Sequence, residues 1–385
     1  MELPYGLHLA YCTNIHRGET WPEILVALER HTLEVRDRVC PAKPYAIGLR
    51  LGVQAALTLY DRKERDNFRR WLDRNRCYVF TINGFPYGQF HGTRVKEQVF
   101  QPDWSTAARV EYTRALFEII ADIVPPGVAG SVSTVPGSHK ELIRDAKQEA
   151  DILTNLREMG EWIARLSDKT GVDLHLGLEP EPLGYIENTP ETLAFFEKLG
   201  TSEPVQRCLG VNYDTCHLAI EYEDPAVSLR RFAEARIRLS KLHLSSALRL
   251  APHPNVLRRL RDFQEDVYFH QVIARRDDGS LQRYRDLPDA LAAAASARPS
   301  STEEWRVHFH IPLHAPPDDM FQTTGDHLTG ALDVLARNPS LCQHLEMETY
   351  TWEVLPREMR SATVEDQLMK EYEWALGELG KRKLA

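Results

Sequence analysis

Four residues between positions 179 and 348 are of types that hold a divalent cation or move a proton, and each falls at or near the end of an apolar run: Glu179, Asp214, His243 and Glu348. In LHLGLE, Leu174, Leu176 and Leu178 alternate with His175, Gly177 and Glu179, the period-two pattern of a strand. Pro180 and Pro182 cannot extend a hydrogen-bonded ladder, so the strand is expected to stop at about Glu179 and leave that carboxylate at its C-terminal end. The run LGVNYD repeats the arrangement, with Leu209, Val211 and Tyr213 on one face and Gly210, Asn212 and Asp214 on the other. His217 follows three residues later and reaches the same place from the start of the loop. Glu179 and Asp214 lie 35 residues apart, the length of a strand, helix and loop in a βαβ unit, so parallel neighbours hold both at one end of a sheet. Lys241 and His243 share a face of IRLSKLHLS, and Glu346 and Glu348 share a face near the last strand. Glu348 is the outer of that pair, and Glu346, a layer deeper, is its substitute.

Taken singly, these residues have ordinary explanations: half-exposed loop carboxylates and a satisfied core histidine. Four at matched strand ends are another matter, because three carboxylates and an imidazole in one place repel unless a cation neutralises them. Oxygen donors with one nitrogen suit Mn²⁺, Zn²⁺, Co²⁺ or Mg²⁺. Such a metal would polarise a carbonyl while Glu179 and Glu348 exchange a proton as base and acid, which makes isomerisation or epimerisation of a small polar metabolite the first reading. A metal-dependent hydrolase or lyase is the enzymatic alternative, and a metabolite-binding or trafficking module without catalysis is the alternative of another class. Candidate substrate contacts are His217, Lys241, Asn83 and His91 after the third strand-like run, and His310, which shares a face with His308 in VHFHIP.

The elements that must position these groups alternate along the chain. Strand-like runs fall at 7–12, 46–51, 78–82, 130–135, 174–179, 209–214, 237–245 and 345–350, with helix-period segments between them at 23–39, 55–74, 106–124 and 141–170. Asp224-Pro225 starts a further helix as N-cap and first-turn proline, and a last helix carries Leu368, Tyr372, Leu376 and Leu379 on one stripe. Eight strands each followed by helical sequence predict a (β/α)8 TIM barrel over residues 1–385, its site at the C-terminal rim. The spacing between the seventh and eighth strands is about three times the usual repeat, so residues 246–320 read as a β-rich insertion or lid. Within it, VYFHQVIA and WRVHFHIPL are extended runs, Asp277-Asp278-Gly279 is a hairpin turn, the alanines of 290–297 form a helix, and Pro299 to Thr302 is a surface linker.

Composition narrows the classes. The 385 residues are 43% hydrophobic and 27% charged, which suits a protein with a sizeable core, and the formal charge of −9 argues against a polyanion binder, so no nucleic acid is expected. No run approaches the ~18 to 20 apolar residues of a membrane span, and no basic segment followed by an apolar one opens the chain, so the expected location is cytoplasmic. Cys12, Cys40, Cys77, Cys208, Cys216 and Cys342 form no CxxC pair and read as free thiols.

The order Glu179, then Asp214-x-x-His217, then the Lys241-x-His243 strand, then Glu348 resembles the xylose-isomerase-like TIM barrels, a superfamily of sugar isomerases, keto-sugar epimerases and endonuclease IV-type enzymes. More narrowly, HLAYCTNIHRGETW at 8–21, TINGFPYGQFHGTRVKEQVFQPDW at 81–104, LGLEPEP at 176–182, NYDTCHLAIEYEDP at 212–225 and HLEMETYTWEVLP at 344–356 resemble the EboE-type metabolite-traffic proteins, across nearly the whole chain, insertion included. That resemblance implies a place beside a small gene cluster that moves a secondary-metabolite precursor or prenylated metabolite, with proteins of the same cluster as partners. The wider superfamily implies Glu179, Asp214, His243 and Glu348 as metal ligands and His217 as a nearby site histidine. Endonuclease-like members hold three metals with extra histidines from early loops; His91 matches such a position, but the rest of that pattern is missing, which argues against a nuclease.

Overall fold

The computed structural model describes residues 1–385 apart from Thr93, Arg298 and Ser301. In chain order its strands are β1 (His8–Tyr11), β2 (Tyr45–Arg50), β3 (Cys77–Asn83), β4 (Gly130–Thr134), β5 (Leu174–Leu178), β6 (Leu209–Asp214), β7 (Arg238–Leu244), β8 (Leu248–Leu250), β9 (Val272–Arg275), β10 (Leu281–Tyr284), β11 (Glu304–Val307), β12 (Gln322–Thr323) and β13 (His344–Met347). Eight of them pair in parallel in the order β1-β13-β7-β6-β5-β4-β3-β2, and a parallel bridge between Cys12 and Gly48 draws β1 to β2, so the sheet nearly closes into a barrel ringed by helices. This is the expected (β/α)8 architecture.

Alternation decides what the barrel contains. Leu174, Leu176, Leu178, Val211, Tyr213, Leu242, Leu244, Leu345 and Met347 pack into one large apolar cluster with the surrounding helices. Their neighbours His175, Asn212, Asp214, Lys241, His243, His344 and Glu346 are just as buried but polar. The deeper histidines are satisfied by hydroxyls: His175 Nδ1 pairs with Ser240 Oγ at 2.7 Å, His344 Nδ1 with Ser131 Oγ at 2.8 Å and His8 Nδ1 with Tyr78 OH at 2.8 Å. Acidic groups therefore dominate only the upper layer. Register completes the placement, because Asp214 lies opposite His243 across β6 and β7, and Glu346 opposite His243 across β13 and β7.

The remaining five strands form a second, antiparallel sheet, β10-β9-β11-β8-β12, between β7 and β13 in sequence. With the helices Pro254–Leu260 and Leu287–Ser296 it encloses its own apolar cluster, which includes Leu260, Phe263, Leu287, Trp305 and Val307. The β9–β10 hairpin turns where Asp277-Asp278-Gly279 predicted, with Gly279 at φ 81° and Arg276 N–H donating to Ser280 O at 2.9 Å. The two extended runs are shorter as strands than their sequence implied, ending up as Val272–Arg275 and Glu304–Val307. His308 and His310 thus lie beyond β11 in a chain that leaves the sheet, anchored by His308 N–H donating to Gln271 O at 2.8 Å. The expected linker at 299–302 includes Ser301 and so falls partly outside the described residues. The single helix expected over 55–74 is two, Val53–Tyr60 and Arg62–Arg74, because Asp61 turns extended and its carboxylate caps Lys63 and Glu64 N–H.

Candidate metal centre

Glu179, Asp214, His243 and Glu348 meet at the C-terminal end of the barrel, with one donor atom of each within 4.8 Å of the others. Each residue is at most 5% exposed. Their arrangement follows one rule: every carboxylate has one oxygen held by protein donors and turns the other to a common point. Asn212 Nδ2 donates to Glu179 Oε2 at 2.6 Å, and Asn14 Nδ2 and Asn83 Nδ2 donate to Glu348 Oε1 at 2.8 and 3.1 Å. Asp214 Oδ1 accepts from the Cys216 and His217 backbone N–H groups, capping the helix Thr215–Ile220, and from Ser245 Oγ. The second oxygens, Glu348 Oε2, Glu179 Oε1 and Asp214 Oδ2, lie 2.9, 3.2 and 3.3 Å from His243 Nδ1.

Beneath this layer Glu346 fixes the imidazole. Its Oε2 accepts from His243 Nε2 at 2.8 Å and pairs with Lys241 Nζ, which also donates to Ser133 Oγ at 3.2 Å. Burial works against the Glu346 charge, but Lys241 and His243 outweigh it and hold the carboxyl at about 2. A group ionised at every working pH accepts only, so Nε2 keeps its proton and Nδ1, which faces the three carboxylates, is the nitrogen that would give up its proton to a cation. Gly48 makes room for this carboxylate, since a Cβ there would sit 2.0 Å from Glu346 Oε1.

The electrostatics are those of a cation site. Burial disfavours charge on His243, yet the neighbouring Glu348, Glu179 and Asp214 carboxylates hold it protonated well above the usual histidine range. Burial would raise Asp214, but His217, His243 and His310 hold it well below the usual carboxylate range. Asp214 Oδ2 is nevertheless a buried oxygen with no hydrogen-bond partner. Lys241 balances Glu346, which leaves three carboxylates to one imidazole. Three free oxygens and Nδ1 form a donor set that a divalent cation of the Mn²⁺, Zn²⁺, Co²⁺ or Mg²⁺ kind fits. Three further groups adjoin it, Asp214–His217–His310, Glu181–His217–His308 and Cys216–His308–His310. His308 Nε2 and His310 Nε2 face each other at 3.3 Å, while His310 Nδ1 bonds Glu348 O at 2.8 Å and His217 Nδ1 bonds Pro180 O at 3.0 Å.

A profile of the xylose isomerase-like TIM barrel family matches residues 49–275. The chain belongs to this family. No curated protein matches the sequence. Solved structures similar to this xylose isomerase-like barrel include an L-ribulose 3-epimerase, at 14% identity over 100% of this chain and 96% of that one with TM-score 0.53. A putative sugar phosphate isomerase/epimerase from Anabaena variabilis ATCC 29413 aligns at 9% identity over 98% and 99% of the two chains with TM-score 0.52. A D-tagatose 3-epimerase-like protein aligns at 11% over 97% and 99% with TM-score 0.50. At these identities the likeness is one of fold.

In this xylose isomerase-like barrel the acidic layer floors a cavity lined at its base by Asn14, Asn83, Glu179, Glu181, His217, His308 and Glu348. Of the expected substrate contacts, His217 and Asn83 line it, while Lys241 lies below the floor and His310 behind His308. His91 points elsewhere: its neighbour Phe90 is the lining residue, and neither His91 ring nitrogen has a partner. Burial and then Arg50 lower that imidazole to about 4. The sequence reading passed over Asn14, Asn212, Ser245 and Glu181. Asn14 follows the first strand and Asn212 shares a face with Asp214, so both sat at positions that alternation and strand ends would have flagged. Glu181 Oε2 is buried without a partner, and burial, reinforced by Glu179, Glu348 and Asp214, pushes its carboxyl well above the usual range.

No helix among the described residues is long and apolar enough to cross a membrane.

Proposed function

We propose that the protein is a divalent-metal-dependent isomerase or epimerase of a small hydroxylated carbonyl compound, with Glu179, Asp214, His243 and Glu348 as ligands. The observation that carries the reading is the set of three carboxylates, each pinned through one oxygen and offering the other beside His243 Nδ1. A cation bound there would polarise the substrate carbonyl and so acidify the adjacent carbon. Glu179 takes the proton from that carbon, and the electron pair left behind forms a carbon–carbon double bond as the carbonyl oxygen gains charge. Glu348, the other carboxylate beside His243 Nδ1, returns a proton to the same carbon as the carbonyl re-forms, for epimerisation; for isomerisation it protonates the neighbouring carbon while the first carbon's hydroxyl proton passes to the former carbonyl oxygen. Asn212, with Asn14 and Asn83, fixes the rotation of the two carboxylates. Asn83 and His217 line the cavity where they can hold a substrate hydroxyl.

The L-ribulose 3-epimerase of the same fold is in keeping with this chemistry, and the resemblance to EboE-type proteins supports a role in a secondary-metabolite pathway alongside other products of one gene cluster. A hydrolase or lyase is the second reading. It is favoured by the His217–His308–His310 group beside Asp214, a place for a second cation or a held water.

The test is metal content followed by proton exchange. Purified protein is expected to carry transition metal or Mg²⁺ that Glu179→Gln and His243→Ala variants lose, and to exchange solvent deuterium into ketoses such as L-ribulose. Metal content unchanged in both variants refutes the site; bound metal with no exchange into any ketose or aldose refutes the isomerase and leaves the hydrolase and the binding module.

A further inference from the structure

Above the acidic floor the cavity wall changes character. Phe85, Phe90 and Phe100 from the segment after β3, Tyr268 and Phe269 from the segment before β9, and Tyr350 after β13 all line it. Three stretches remote in sequence thus bring aromatic rings to one rim. They are joined there, since Val95 and Lys96 N–H both donate to Val267 O, at 2.8 and 3.1 Å. Phe90, Tyr268 and Tyr350 form a ring triangle with centroids 5.1 to 5.3 Å apart, and Phe85 and Phe100 pack edge to face at 5.6 Å. Phe90, Tyr268 and Val95, with Tyr350 packed against them, make an apolar cluster separate from the main barrel core.

Two of this rim's polar groups are already committed. Tyr268 OH donates to Phe90 O at 3.2 Å, and the Lys96 ammonium pairs with Asp286 while lying 5.5 Å over the Phe269 ring. The wall therefore offers mainly ring faces and edges, with the Tyr350 hydroxyl as a remaining donor. A free sugar carries a hydroxyl on nearly every carbon, and those pressed against such a wall lose their water bonds with few returned. A flat ring gains both burial and offset or edge-on contacts with its neighbours.

We infer that the site takes a compound of two parts, a hydroxylated or carbonyl head seated on the acidic floor and an aromatic ring laid against the cavity-facing side of the collar formed by Phe90, Tyr268 and Tyr350. This rests on the floor being the place where the head binds, as proposed above, but the collar's preference is independent of the metal.

Three xylosides with one head and different bodies separate the possibilities: benzyl, cyclohexylmethyl and methyl β-D-xylopyranoside, titrated calorimetrically into the protein as purified. Benzyl is expected to bind at least tenfold tighter than methyl and severalfold tighter than cyclohexylmethyl. Phe90→Leu and Tyr350→Leu, which keep apolar bulk and remove the ring, are expected to erase the benzyl preference without changing metal content. In Glu179→Gln, metal is lost and all three weaken, while the benzyl-to-methyl ratio persists, so failure of the metal site and failure of the collar read out separately. Equal binding of benzyl and methyl, a cyclohexylmethyl compound as tight as benzyl, a preference that survives both leucine variants, or no binding of any of the three overturns the inference.

Discussion

Glu346→Gln separates a residue that orients a ligand from one that is a ligand. In the native protein Glu346 is ionised, accepts from His243 Nε2 at 2.8 Å and pairs with Lys241, so the imidazole must offer Nδ1 to the three free carboxylate oxygens. A glutamine keeps the shape but can turn its NH₂ toward Nε2, which would put the proton on Nδ1 and remove the lone pair a cation needs. Loss of such an orienting partner weakens metal binding by about 10–100-fold, or ~1.4–2.8 kcal/mol. It also leaves the fully buried Lys241 without its anion, and breaking a buried pair costs about 3–5 kcal/mol of stability. The assay is competition with a chromophoric chelator near neutral pH, paired with urea unfolding of the same preparations. Glu348→Gln is the reference, because it removes a proposed ligand and should cost more metal affinity than Glu346→Gln while leaving the Lys241 pair intact. If the folded Glu346→Gln protein binds metal within twofold of the native one, the tautomer argument fails. If it is as damaging as Glu348→Gln, Glu346 is itself a ligand and the assignment of Glu348 to that role is the error.

Two other perturbations probe the support of the site. In Gly48→Ala the new Cβ would lie 2.0 Å from Glu346 Oε1 and 2.8 Å from Tyr11 O, so the carboxylate must move; a loss of about 1–3 kcal/mol in urea unfolding is expected, and unchanged stability would show that Glu346 yields freely. Glu371 is fully buried, its oxygens accepting from Thr349 Oγ1 at 2.6 Å and Gln367 Nε2 at 3.3 Å, and burial raises its carboxyl from 4.5 to about 8. The folded state then holds a proton that the unfolded chain releases, so this group's stabilisation is full below pH 4.5 and declines as pH rises from there through about 8. Glu371→Gln removes the proton, and thermal melts from pH 5 to 9 are expected to show a smaller fall in Tm than the native protein; parallel curves would mean the carboxyl is not held neutral.

How much of this was legible in the sequence follows from which forces act locally. Period-two alternation and proline stops located β5 to β7 and the end at which Glu179, Asp214 and His243 emerge, because facing is dictated by the pleat and stopping by a missing donor. The cap at Asp61 was equally local, in Asp61-Arg-Lys-Glu64, yet a continuous helical period masked it until the backbone was seen to turn. The second sheet was harder, since β8, β10 and β12 are two to four residues long and exist through pairing with distant partners rather than through any pattern of their own. What no spacing rule reveals is the division of labour within a carboxylate. Glu179, Asp214 and Glu348 each need a donor from elsewhere, Asn212, the start of the helix after β6, and Asn14 with Asn83, to fix one oxygen and free the other. Asp214 is held locally by its own helix cap, but Glu348 takes Asn14 from beyond β1 and Asn83 from β3, so its free oxygen is fixed only once the barrel has closed. The proposed cation site is in this sense a property of closure: a chain with the same four residues but an open edge between β1 and β2 would keep the charges and lose Asn83 and Gly48 from around them.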